Sequence, residues 1–323
     1  EESDRLVLQL MMLERLAHEP SLAGWNGLGL ALQAYQKRAH AVIGKLAELG
    51  RASGRRLMVR LVKGAYWDTE VKFSQMNGWP DFPVWTTKSA TDLNYLACAR
   101  ALLGEPETIY PQFATHNAHS LCAVREIAAE LDNDAYEFQR LHGMGEPLYL
   151  AAASAFTLRP VRVYAPVGSH EDLLPYLVRR LLENGANTSF VHSFLDPDVP
   201  AADVARGPFE GADSMDRHPF IPAPPRLYGP HRQNAAGVDL SQKAVRSALA
   251  DAQARFDKAM PHACGPVISG KVKTGTAREQ ASPADSSVIV SKITEAGESM
   301  VDAPFAAAHK AFGAWDRQGG AAR

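Results

Sequence analysis

The chain has 323 residues, 46% of them hydrophobic, enough for about two domains at roughly 150 residues each. Lysines and arginines total 34 against 36 acidic residues, a formal net charge of −2. This gives no electrostatic case for nucleic acid or an anionic membrane as the main partner, though a local anion site is still allowed. Cys98, Cys122 and Cys264 are odd in number and form no C-x-x-C pair, which argues against a disulfide framework or a cysteine zinc site and for a reducing compartment.

Residues 5–18 carry apolar positions at helical spacing. Gly27–Tyr35 reads as a buried strand, residues 36–50 as a helix closed by Gly50, and Leu57–Val62 as a second strand ending at Lys63-Gly64. Residues 91–103 read as a helix capped by Thr91 or Asp92, Thr108–Ala114 as a third strand and 118–131 as a helix. Ala135–Leu141 and Val161–Ala165 are the fourth and fifth strands. A helix over 170–184 follows, opened by a Ser169/Asp172 capping box and stopped by Gly185. Cys98 and Cys122 fall in the helical patterns and are expected in the core.

Repeated strand–helix alternation implies a parallel sheet covered by helices. No G-x-G-x-x-G follows the first strand, which disfavours a dinucleotide-binding Rossmann domain. The expected fold is α/β, a partial (β/α)8 TIM-like barrel with about five of eight strands, the first three lying before Glu1. The chain opens on Glu1-Glu2-Ser3-Asp4 and stops at Gly319-Gly320-Ala321-Ala322-Arg323, directly after a helical pattern, so both ends read as cut. No apolar run reaches the ~18 residues of a membrane span.

Residues 196–235 are rich in proline and glycine and read as a connector. A helix at 241–258, a strand at 288–293 and a helix at 302–315 follow. The expected organisation is a partial barrel at 1–195, a linker and helix at 196–262, and at 263–323 the opening of a second domain too short to stand alone.

In a (β/α)8 barrel, functional groups sit at the carboxyl ends of the strands. Here those ends hold Gln33, then Arg60 through Trp67, then Thr115-His116-Asn117, then Gln139 through Gly145, then Tyr164. Arg60 shares a strand face with the apolar Met58 and Val62, so its guanidinium needs an internal acid or a ligand. A strand-end lysine such as Lys63 is often just solvated, but Gly64 beside it lets a ligand approach the backbone closely, which adds a binding reading. On the 170–184 helix, Arg180 lies at the edge of the apolar stripe near Tyr176, with Arg179 further round and Glu183 one turn on. Arg179 and Glu183 form either a surface i,i+4 pair or, with Arg180, part of a clamp whose planar forks match a carboxylate. The 11 histidines show no metal-ligand pattern, so no metal is expected, and the absence of G-x-S-x-G leaves serine hydrolysis unsupported.

Together RLVKGAYWDTE (60–70), FATHNAHS (113–120), EFQRLHGMGEPLY (137–149), YAPVG (164–168) and LVRRLLENGANTSFV (177–191) resemble the proline dehydrogenase barrel of the proline utilization A family. The resemblance runs over about residues 5–235, and 235–323 resembles the family's interdomain segment and the start of its aldehyde dehydrogenase domain. It implies catalytic or substrate roles for Arg60, Tyr66, Tyr164, Arg179, Arg180 and Glu183. It implies FAD binding by Gln33, Arg60, Val62, Lys63, Gly64, Trp67, Thr115, His116, Asn117 and Leu141.

The implied activity is oxidation of L-proline to Δ1-pyrroline-5-carboxylate by hydride transfer to flavin N5. In the parent, NAD-dependent oxidation of glutamate semialdehyde follows in a second domain whose NAD site is mostly absent. The implied partners are a membrane quinone and other copies of the parent in a homo-oligomer, and no nucleic acid is evident. The implied location is the cytoplasm, peripheral at the inner membrane. The family's carboxylate-binding lysine and an aspartate on the strand before Gln33 have no counterpart here, and Cys264 lies too early to be the second domain's nucleophile. Two rival expectations are an inert piece with an unclosed barrel and an unrelated (β/α)8 lyase for a phosphorylated substrate. Gly143-x-Gly145 fits the lyase, while Glu171 and Asp172 would repel phosphate from the last helix.

Overall fold

The computed structural model describes residues 2–185, 198–204, 206–209 and 217–322, without the side chains of 181–185, 201 and 204. The chain divides into two compact units, Glu1–Gln242 and Lys243–Arg323.

The first unit opens with helix α1 (Leu6–Ala17) and strand β1 (Gly29–Gln33), then α2 (Ala39–Ser53), β2 (Leu57–Val62), α3 (Trp67–Met76) and α4 (Lys88–Leu103). There follow β3 (Ile109–Ala114), α5 (Ala118–Glu130), β4 (Glu137–Leu141), α6 (Glu146–Ala155), β5 (Val161–Tyr164), α7 (His170–Gly185) and the short α8 (Ala201–Val204). The five strands form one sheet in the order β1-β2-β3-β4-β5, every pair parallel. Strand order equal to chain order, with a helix in each crossover, is the arrangement of one arc of a (β/α) barrel.

Period-2 alternation sorts the two faces of the sheet. Leu30, Leu32, Leu57, Val59, Leu61, Ile109, Phe113 and Phe138 are buried in a single core with Val42, Ile43 and Leu46 of α2, Tyr95 and Leu102 of α4 and Leu121 and Val124 of α5. The register brings Arg60, Gln112 and Glu137 level on the opposite face, as it does Ala114, Gln139 and Arg162. Polar residues on this face satisfy one another. Glu137, only 3% exposed, accepts from Gln112, Gln139 and both nitrogens of an Arg162 fork at 2.7–2.8 Å. Burial would raise the Glu137 carboxyl, but these bonds hold it below its ordinary value.

Several local expectations need correction. Helix α2 does not stop at Gly50. It runs to Ser53 and is capped by Gly54 at φ 63°, the left-handed conformation that glycine adopts without strain. Gly50 instead lies inside the helix, where a Cβ would come within 2.8–3.0 Å of Thr108 and Arg55. Helix α4 starts one turn before Thr91, with Thr87 as its cap accepting from Ala90 N. Cys98 is buried and its thiol is pushed up to about 12, whereas Cys122 is exposed, because α5 turns Leu121 and Val124 to the core instead. Helices α3 and α6 have no counterpart in the expected order.

The described part of the connector is tied down. Gln75 of α3 donates to Pro222 O, Asn234 donates to Gln75 O, and Gly237 N donates to Gly78 O. Ile221 packs on a second apolar cluster made by Tyr35, Val71, Phe82 and Val84.

The second unit has α9 (Lys243–Lys258), β6 (His262–Cys264), a β7–β8 hairpin (Val267–Ile268 and Lys271–Val272), β9 (Ala277–Ala281), β10 (Ile289–Thr294) and α10 (Asp302–Asp316). Strand β10 is central, parallel to β6 and antiparallel to β9. Among its described residues, Ile268 is the one buried hydrophobic side chain.

Candidate active site

A cavity of about 640 Å³ lies at the carboxyl ends of the strands, within the range of ~300–1,000 Å³ that holds small ligands and cofactors. Its walls bring together Gln33, Arg60, Val62, Lys63, Gly64, Tyr66, Trp67, Thr115, His116, Asn117, Tyr164, Arg179 and Arg180, residues drawn from four strand ends and helix α7. Leu141 is buried but does not line it, and the side chain of Glu183, like residues 186–191 of the last motif, lies outside the described residues.

At one end, arginines lie over aromatic rings. Arg60 sits 4.5 Å from the Tyr164 ring centroid, Arg179 5.5 Å from Tyr66 and Arg180 5.6 Å from Tyr176. Such stacking orients a guanidinium by its face and leaves its edge for hydrogen bonds. The Arg60 Nε is buried with no hydrogen-bond partner among the described residues. A buried donor without an acceptor costs about 1–3 kcal/mol, which a ligand's acceptor would remove.

At the other end, charge rests on an acid. Asp92 on α4 bridges Lys63 at 2.5 Å and Lys88 at 2.6 Å. Burial would raise the Asp92 carboxyl, but the two ammonium groups hold it below its ordinary value. Burial lowers Lys63, with Asp92 opposing. Thr86, Thr87 and Thr91 add hydroxyl groups, and His218 of the connector completes this end.

Between the ends, side chains are fixed by the backbone. Gln33 Oε1 accepts from Ala65 N at 2.9 Å, which orients its amide. Asn117 caps α5 by accepting from Ser120 N, and Thr115 Oγ1 accepts from Asn117 N. His116 Nε2 accepts from Leu141 N at 3.1 Å, so Leu141 acts here through its backbone. Burial, with Arg180 and Arg140 nearby, lowers His116 to about 4; it is neutral at pH 7 with its proton on Nδ1. Gly64 has φ 153°, and a Cβ there would meet the Tyr35 ring at 2.4 Å, so an internal contact already demands this glycine.

Sequence reasoning did not single out Thr86, Thr87, Lys88, Thr91, Asp92, Met144, Tyr176 and His218 as site residues. Tyr176 was within reach of it, one turn before Arg180, and Lys88–Asp92 is a readable i,i+4 pair. His218 lies in a segment with no periodicity and gave no signal.

Among the described residues no group of His, Cys, Asp and Glu could hold a metal ion, and no helix is long and apolar enough to cross a membrane. Fold and cavity define the class: an α/β protein with a cationic, aromatic-lined site at the carboxyl ends of parallel strands. Residues 1–193 match the proline dehydrogenase family, and the chain belongs to that family. It is 50% identical over 289 residues to the bifunctional protein PutA of Escherichia coli (strain K12), covering 84% of this chain and 22% of that one. It resembles a crystal structure of Bradyrhizobium japonicum proline utilization A with a TM-score of 0.74 and 51% identity, covering 80% of this chain and 26% of that one. It also resembles proline utilization A from Bdellovibrio bacteriovorus, inactivated by N-propargylglycine, with a TM-score of 0.83 and 32% identity, over 98% of this chain and 32% of that one. The chain spans about a quarter of the length of the curated PutA relatives it matches.

Proposed function

We propose that residues 1–242 carry the cofactor and substrate cavity of a flavin-dependent proline dehydrogenase. The observation that carries this reading is the convergence of Arg60, Arg179 and Arg180, each on an aromatic ring, beside a lysine- and threonine-lined end in one cavity. Those two ends fit a flavin dinucleotide with an amino acid beside it: hydroxyl and ammonium groups suit a diphosphate and a ribose, and guanidinium forks suit a carboxylate. The partnerless Arg60 Nε fits a cofactor acceptor on the same ground.

When bound, FAD would supply, at flavin N5, the acceptor for a hydride leaving C5 of L-proline, and the ring nitrogen would give up a proton to solvent as the C=N bond of Δ1-pyrroline-5-carboxylate forms. The chain's own residues bind and orient. Arg179 and Arg180 grip the proline carboxylate, and Tyr66 and Tyr176 hold those forks in place. Tyr164 flanks the substrate and backs Arg60, whose fixed positive charge would help hold the flavin ring system and favour its reduced, more negative form. Gln33, Val62, Gly64, Trp67, Thr115, His116 and Asn117 shape the cofactor wall, with Lys63 at its anionic portion and Leu141 behind His116. Glu183 is assigned to organising the two arginines, one turn from Arg179 on α7.

For a longer parent protein, residues 263–323 are read as the opening of an aldehyde dehydrogenase domain that oxidises glutamate semialdehyde with NAD. The likeness over 98% of the chain to a proline utilization A structure supports this. A membrane quinone as electron acceptor, peripheral attachment to the inner membrane from the cytoplasm and homo-oligomerisation belong to the same reading of the parent.

The test is to purify the chain, add FAD and follow flavin absorbance under anaerobic L-proline. Bound flavin that bleaches with proline, and is lost to N-propargylglycine, supports the assignment. Folded protein that holds FAD but is indifferent to proline overturns it in favour of an inert piece.

A further inference from the structure

We propose that the segment 217–237, beyond the stretch that matches the family, is anchored so as to place His218 in the wall of the cofactor cavity, where it contacts the adenosine–diphosphate portion of the flavin dinucleotide. The inference rests on the flavin reading above and deepens it.

His218 lines the cavity beside Thr86, Thr87 and Lys88. Its backbone N–H donates to Thr86 Oγ1 at 3.0 Å, which couples the segment to a cavity residue. The rest of the strap is anchored on both sides. Arg217 pairs with Asp81 at 3.1 Å, and Lys37 pairs with the same carboxylate oxygen at 2.9 Å. Ile221 inserts beside Tyr35, Val71, Phe82 and Val84. Asn234 donates from one amide nitrogen to both Gln75 O and Pro224 O. The surfaces it grips themselves build the cavity: α3 begins at Trp67, a lining residue whose Nε1 donates to Trp85 O in the 81–87 segment.

The chemistry of this end selects the ligand portion. Lys63, Lys88 and three threonine hydroxyls suit phosphates and ribose, while the arginine–tyrosine end suits the reacting ring and the amino acid. At this lysine end the His218 imidazole, whose Nδ1 accepts from Phe220 N at 3.3 Å, offers a ring face and Nε2 to a purine or a ribose hydroxyl. The compact unit extends to Gln242 although the family match ends at residue 193, so the strap belongs physically to the barrel part.

The experiment uses the full chain and titrates FAD and, separately, FMN, which lacks adenosine, by quenching of flavin fluorescence. His218→Ala is compared with Ile221→Asp, which loosens the strap without changing a cavity residue; circular dichroism reports folding. The expected result is about a five- to tenfold weaker FAD affinity in His218→Ala, with FMN changed by less than about twofold. Ile221→Asp, where folded, reproduces the FAD loss. Unchanged FAD affinity in folded His218→Ala overturns the strap inference and leaves the flavin reading standing. Unmodified protein that is folded but binds neither flavin overturns both.

Discussion

The cavity has two cationic ends that hold their charge differently. Arg60, Arg179 and Arg180 rest on the rings of Tyr164, Tyr66 and Tyr176, whereas Lys63 and Lys88 rest on one carboxylate, Asp92. A ring face attracts a cation without using its hydrogen-bonding edge and without cancelling its charge. A carboxylate does both. The arginine end is therefore prepared for a small anion that must be placed accurately. The lysine end is neutralised in part and screened, and suits a ligand portion that must be held rather than reacted upon.

Arg179→Met should give the sharpest break. Loss of one partner of a desolvated charge pair costs about 2–5 kcal/mol, so kcat/KM for proline should fall about 100-fold, most of it in KM, while flavin content is kept. Steady-state kinetics beside flavin absorbance check this. A larger loss of flavin than of proline affinity would erase the distinction between the ends.

The next effect is on stability and comes from His116, which lies between the ends. Its folded value of about 4 is below the ordinary 6.5, so the unfolded chain binds more protons between those values. Its contribution is fully present above about pH 6.5 and is lost as pH falls toward 4, by about 3 kcal/mol at the limit. His116→Gln retains an acceptor for Leu141 N but does not titrate, so its melting temperature should fall less steeply over that window. Parallel slopes for the two proteins would remove His116 from the account.

Lys63→Met should weaken FAD about tenfold, flatten the salt dependence of FAD binding and leave the KM for proline nearly unchanged. The smallest expected effect belongs to the ring supports. Tyr66→Leu removes a cation–π contact of about 0.5–1 kcal/mol and should raise the KM for proline about two- to fivefold, with Tyr66→Phe close to unmodified protein. If Phe is as poor as Leu, the hydroxyl and not the ring face is what matters there.

A second contrast bears on how much the sequence reveals. Helix and strand patterns were readable in both compact units, and Leu57–Val62 emerged with the boundaries the alternation predicts. Yet the first unit buries a continuous core from Leu6 to Ala152, while the second leaves Phe256, Phe305, Phe312 and Trp315 exposed. Periodicity states which side of an element is apolar; it does not state whether anything covers that side. Element ends were less legible for the same reason. Gly50 looked like a stop because glycine ends helices, but its small size serves close packing on Thr108, and Gly54, four residues beyond the predicted end, takes the left-handed turn.

From the sequence alone came the parallel strand–helix order, the strand-end placement of Arg60, Lys63, His116 and Tyr164, and the arginine pair on the helix after the fifth strand, because these depend on periods of 2 and 3.6 and on residue chemistry. Only the tertiary structure decided that Asp92 joins Lys63 to Lys88, that each arginine finds its own tyrosine, and that His218, over a hundred positions from Thr86, stands beside it. Those pairings are set by how the strands twist and how the chain returns across them, and no local spacing encodes a meeting between segments so far apart.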